Sequence, residues 1–210
     1  VPKITKIEQQ KKNSNRYSIY IGDEFSFGIH ENILVKFRLA KGMDLEESFI
    51  EEVLKEEEQN KANSYALKLL SSKARSENEI IDKMRNKGYE KDNIDKAINY
   101  LKQYGYIDDK EYALNYTRDR MRLKKLGHQR IKSELYQKGV KKEILEEALD
   151  ELIDKDDEYE RALELAQKKV SSTYRNDDKN TQYRKLGAFL QRKGYSFDTI
   201  KKVLNKVLKY

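Results

Sequence analysis

The chain has 210 residues, of which 37% are hydrophobic, 39% are charged and none is cysteine. That length holds one or two ordinary domains or a row of small repeats, and the apolar share is low for a single globular core. The absent cysteines exclude disulfides, thiolate catalysis and cysteine-based zinc sites and fit a cytoplasmic protein.

The first ten residues, VPKITKIEQQ, have no apolar signal core, and no run of the sequence is apolar enough to span a membrane. The net charge of +7 is uneven. Residues 1–60 carry nine basic and twelve acidic side chains, whereas residues 61–210 carry 35 and 25. A basic body calls for an anionic partner, either nucleic acid or an acidic protein surface.

Residues 3–29 read as an antiparallel meander. Lys3–Ile7 alternates, Lys11–Asn15 is a polar turn, and Tyr17, Ile19 and Ile21 share one face. Gly22-Asp23-Glu24 turns the chain again, and Phe25, Phe27 and Ile29 continue the alternation. So small a sheet needs a helix on one face, which Glu31–Leu39 supplies. After a break at Lys41-Gly42, a helix is expected from Asp44 as N-cap. Glu56-Glu57-Glu58 reads as a polar joint before the next helix, Ala62–Leu70.

Three Lys-Gly pairs organise the rest. Aligned on Gly88, Gly139 and Gly194, the positions four before are Met84, Leu135 and Leu190, and eight before are Ile80, Ile131 and Leu186. Six after stand Ile94, Leu145 and Ile200; nine after, Ala97, Ala148 and Val203. Ten after stand Ile98, Leu149 and Leu204; thirteen after, Leu101, Leu152 and Val207. All are apolar at helical spacing, and a further helix precedes each pair, so the repeat is a three-helix unit. Each glycine is a left-handed helix stop. Ser76 with Glu79 forms a capping box, and Asp108 and Asp154 are caps rather than catalytic acids. The chain thus divides into an α+β head with a short antiparallel β-sheet (1–57) and three-helix repeats over 58–104, 105–153 and 154–210. The fold class is mainly α, an elongated, curved array of tandem repeats.

One segment carries unusual charge. Arg118, Arg120, Arg122, Lys124, Lys125, Arg130 and Lys132 lie within fifteen residues whose only acid is Asp119. Arg118, Arg122 and Lys125 share one helical face, and Arg120 and Lys124 another. Arg118–Leu126 reads as an insert between two helices, and the basic segment suits phosphates or protein carboxylates. Lys83, Arg85 and Lys87 form a smaller set in the first repeat. Nearby tyrosines could stack on bases, though packing is the preferred reading. There is no P-loop, no dinucleotide fingerprint and no metal-ligand spacing for His30 and His128. No enzyme and no cofactor is expected.

The run Gly105-Tyr106-Ile107-Asp108-Asp109, with Tyr112-Ala113, Tyr116, Arg120, Gly127, Arg130-Ile131, Glu134-Leu135 and Gly139-Val140, resembles the bacterial RecX family. Ala66, Leu69, Arg75-Ser76-Glu77, Ile80, Met84, Lys87-Gly88-Tyr89, Ile94 and Leu101 extend the likeness into the first repeat. The head is similar to the N-terminal extension of Gram-positive members. Thr117 departs from the family, whose members more often carry an aliphatic residue there. The resemblance implies a monomeric negative regulator of RecA, bound in the groove of RecA–single-stranded DNA filaments and restraining strand exchange and ATP hydrolysis. Single-stranded DNA, and duplex DNA besides, are implied as direct contacts, and Arg120, Gly127 and Arg130 carry over as family positions. A stand-alone nucleic-acid-binding repeat protein is the alternative.

Overall fold

The computed structural model describes residues 2–209, in which three strands precede ten helices. The chain separates into two compact units. Residues up to Lys73 join Ile80–Tyr106 in the first, and Ala74–Glu79 join Ile107 onward in the second.

In the first unit, β1 (Ile4–Gln10), β2 (Asn13–Ile21) and β3 (Glu24–His30) form an antiparallel meander in that order. Its register sets Ile7 opposite Ile19, Ile19 opposite Phe27 and Tyr17 opposite Ile29. That alternation buries Ile4, Ile19, Phe27 and Ile29 on one face. A short helix α1 (Glu31–Lys36) follows directly, capped by the His30 ring, whose Nδ1 accepts the Asn32 N–H at 3.2 Å.

The next helix, α2 (Glu47–Ser72), is 26 residues long and departs from expectation at two points. Its N-cap is Glu46, because Asp44 is taken up in a β-bridge to Lys3. It also runs unbroken through Glu56–Glu58, so the boundary read after residue 57 falls inside a helix. The physical reason is Glu57, only 1% exposed. One oxygen accepts the His30 backbone N–H at 2.8 Å, and the other lies 2.8 Å from Arg16 Nη2. A paired carboxylate continues the buried stripe that Val53 begins and Ala62 and Ala66 prolong. One helix therefore covers the sheet and serves as the first helix of repeat 1. Helices α3 (Glu77–Lys87) and α4 (Lys91–Gln103) complete that repeat, with Ala62 and Ala66 small enough for α4 to pack closely on α2.

The second unit holds α5 (Asp109–Lys124), α6 (His128–Gln137) and α7 (Lys142–Leu152), then α8 (Lys155–Ser171), α9 (Lys179–Lys193) and α10 (Phe197–Leu208). The aligned apolar positions of all three repeats are buried except Leu152 and Val207, which are half-buried. Asp108 and Asp154 cap α5 and α8 as expected. The Ser76 hydroxyl and the Glu79 carboxylate exchange bonds with each other's backbone N–H at 3.2 Å. Gly88, Gly139 and Gly194 are all left-handed, at φ +95°, +73° and +91°.

Repeats 2 and 3 are joined main chain to main chain. The Gly127 N–H donates to the Lys193 carbonyl at 2.9 Å, and the Gln129 N–H to that of Gly194 at 3.2 Å. Gly127 has an ordinary φ of −79°, so its need for glycine is steric: a Cβ there would collide with the Gly194 carbonyl.

Candidate partner-binding surface

Most of the segment expected to be an insert is helix. Helix α5 continues through Lys124, and only Lys125–Gly127 connect it to α6. Lys125 takes the left-handed conformation, φ +50°, that ends the helix. Two contacts hold it there: its carbonyl accepts the Tyr195 hydroxyl at 2.7 Å, and its ammonium pairs with Glu164. Burial pushes the Tyr195 hydroxyl up to about 12, so it stays a proton donor at neutral pH.

The cations of this segment sort into two kinds. Arg120 and Arg130 both donate to Glu134, through Nε at 3.0 and 2.9 Å, and the Tyr116 hydroxyl joins them at 2.7 Å. The Arg120 guanidinium also lies 4.4 Å from the Tyr116 ring centroid. Burial disfavours the Glu134 charge, but hydrogen bonds from Tyr116, Arg130 and Arg120 outweigh it and hold the carboxyl below its ordinary range. Lys138 and Tyr112 share Glu79 in the same manner, at 3.0 and 3.2 Å. Lys132 pairs with Glu146 at 2.9 Å. These side chains fasten α5 to α6, α6 to α7, and the start of α3 to both.

The second kind faces solvent. Among the described residues Arg118 touches only the neutral Asn115, at 3.3 Å, and Arg122 lies a loose 3.7 Å from Asp119. Lys124 is exposed at the helix end. Its carbonyl receives Lys193 Nζ at 2.9 Å, which brings a cation from α9 beside it. Burial first, then repulsion from Lys124 and Lys169, lowers the Lys193 ammonium below its ordinary value. Lys169 and Lys193 bracket the Phe189 ring at 5.1 and 5.9 Å, while Lys169 and Lys185 each stand 5.8 Å from the Tyr174 ring. The second unit thus gathers lysines from α5, α8 and α9, interleaved with aromatic rings. Sequence order scattered them, and Lys169 gave no signal beyond its place at a helix end. Leu123, 68% exposed between Arg122 and Lys124, adds an apolar contact point that charge counting passes over.

Lys83, Arg85 and Lys87 are exposed on α3 in the first unit, with Arg85 3.1 Å from Asp82. Among the described residues no cluster of His, Cys, Asp and Glu could hold a metal ion, and no helix is long and apolar enough to cross a membrane.

Three three-helix units that follow a small antiparallel sheet along the chain, with cations exposed on several of their helices, define a helical-repeat protein. Family sequence models match four stretches: the regulatory protein RecX N-terminal domain over 2–46, and the first, second and third RecX three-helix domains over 62–101, 108–149 and 156–204. The regulatory protein RecX of Clostridioides difficile strain 630 is 37% identical over 99% of this chain and 96% of its own length. That of Bacillus thuringiensis strain Al Hakam is 38% identical over 97% of this chain and 76% of its own length. A crystal structure of regulatory protein RecX superposes with a TM-score of 0.79 at 30% identity, covering 97% of this chain and 98% of the other. RecX from Lactobacillus salivarius gives 0.65 at 31%, covering 73% and 98%. The chain belongs to the RecX family of regulatory proteins.

Proposed function

We propose that this chain is a non-enzymatic, mainly negative regulator of the RecA recombinase. It acts as a cytoplasmic monomer in recombination and DNA repair. It binds in the groove of the RecA–single-stranded DNA filament and restrains strand exchange and ATP hydrolysis. The observation that carries the reading is the cluster of Lys124, Lys169 and Lys193, with Arg118 exposed elsewhere on the same helix α5, on a chain of RecX family membership. Such a surface suits DNA phosphates or carboxylates of the recombinase. Arg120, Arg130 and Lys132 support it by holding the helices in place.

Charge reversal tests this. The triple variant Arg118→Glu, Arg122→Glu, Lys124→Glu should fold as the parent does and lose inhibition of RecA ATP hydrolysis. Unchanged inhibition by the folded variant would remove this surface from the contact. The interleaving of Phe189 and Tyr174 with lysines supports a second reading, a module that binds nucleic acid unaided. Co-sedimentation separates the two: retention by RecA filaments well above that by DNA alone or RecA alone supports the regulator.

A further inference from the structure

The other flank of α9 carries a groove that the lysine surface does not use. It opens between α9 and α10, has a volume of 410 Å³, and sits within the size range of small-ligand sites. Its floor is apolar, made by Ile200 and Leu204, and is left open by Gly187, where a Cβ would stand 3.5 Å from the Leu204 side chain. Phe197, the first residue of α10, rims it with 78% of its surface exposed, and Tyr183 stands at the rim from α9. A fully presented aromatic ring beside an apolar slot is a surface that gains by being covered.

The polar residues around the slot decide what covers it. Arg184 and Lys201 line it, and no acidic side chain does among the described residues. Gln129 and Gln191 contribute two carboxamides. An apolar protein side chain entering here would strip water from these amides and return no hydrogen bonds. A nucleobase offers a flat apolar face to Phe197, ring nitrogens and carbonyls to the amides, and a phosphate to the two cations.

We infer that the α9–α10 groove is a base-stacking site for single-stranded nucleic acid, with Phe197 as the platform, Gln129 and Gln191 at the base edge, and Arg184 and Lys201 on the flanking phosphates. This rests on the proposed direct contact with single-stranded DNA and gives that contact a place in the third repeat. The groove takes bases without sequence preference, since every base has a stacking face.

Fluorescence anisotropy with a labelled oligothymidylate, over a salt series, tests it on the full chain. Phe197→Ala should weaken binding about tenfold, as loss of one stacked base does. The slope of log affinity against log salt should not change. Phe197→Tyr should restore binding. Arg184→Gln should instead make the slope shallower by about 0.7. Phe197 is exposed, so its variants are expected to keep the parent's circular dichroism and melting temperature. If the parent binds and Phe197→Ala binds equally well, the groove is not a base site, although direct DNA contact stands. If the parent does not bind at all, both ideas go. If Phe197→Ala binds DNA normally but no longer inhibits RecA, the groove docks protein and the assignment is overturned.

Discussion

Single residues decide which charges remain available to a partner. Counting basic residues from Arg118 to Lys132 gives seven candidates, yet Glu134, Glu146 and Glu164 take up four of them. The acids come from α6, α7 and α8, so neither spacing nor periodicity within α5 discloses them. Thr117 marks the opposite case, where a departure visible in the sequence has a physical address. Its side chain is fully buried in α5, and Oγ1 has no hydrogen-bond partner among the described residues. Thr117→Val keeps the shape and removes the unmet hydroxyl. It should stabilise by about 1 kcal/mol and raise the melting temperature by about 2–4 °C; a lower melting temperature would show that the hydroxyl is satisfied. His128 is a titrating joint. Its backbone N–H donates to Glu158 at 2.8 Å and its Nδ1 lies 3.0 Å from both carboxylate oxygens. The bond to Glu158 raises the imidazole above its ordinary 6.5 despite burial. Burial opposes ionisation of Glu158, but the His128 ring and backbone hold it below its ordinary 4.5. The imidazole's contribution is complete below 6.5 and is lost as pH rises through the raised value. That of the carboxylate is complete above 4.5 and is lost as pH falls through the lowered value. The melting temperature should therefore fall as pH rises from about 6 to about 8, and His128→Gln should flatten that dependence.

Elements were legible where a period or a stop signal marked them. The meander, the Ser76–Glu79 capping box, the aspartate caps and the glycine stops follow from local chemistry, and the structure has them. Two features followed from longer-range contacts and were not legible. Helix α2 runs through three glutamates because Arg16 and the His30 N–H, more than 25 residues away, receive Glu57. Helix α5 absorbs most of the apparent insert because Lys125, rather than a glycine, accepts the left-handed position under tertiary support. The glycines also differ in what they require. Gly88 has open space around its missing Cβ, so Gly88→Ala should cost only the left-handed backbone, about 1–2 kcal/mol. At Gly194 a Cβ would meet the Arg130 backbone as well, and at Gly127 it would meet Gly194 itself. Gly194→Ala should cost more than Gly88→Ala, and Gly127→Ala about 2–3 kcal/mol from crowding alone. Urea midpoints of the three variants check the order; equal midpoints would show that the two repeats can separate at no cost.

For the molecule as a whole, the imbalance between an acidic first sixty residues and a basic remainder is the feature composition conveyed best. It pointed to an anionic partner before any site was defined. Retention on RecA filaments should weaken with added salt, and the triple reversal variant should show a shallower dependence than the parent. Salt-insensitive retention would point instead to apolar contacts such as Leu123. The continuous α2 has a practical consequence for taking the protein apart. A protease finds no exposed linker around residue 57, so limited digestion should cut in the exposed stretch 40–44 ahead of α2 and not at residue 57. A truncation after residue 57 would cut a helix in its middle and take Val53 and Glu57, with the whole N-terminal part of α2, away from repeat 1. Loss of activity in such a fragment would report damage to repeat 1 as readily as a role for the head. The informative dissection keeps α2 whole and alters the surface of the strands.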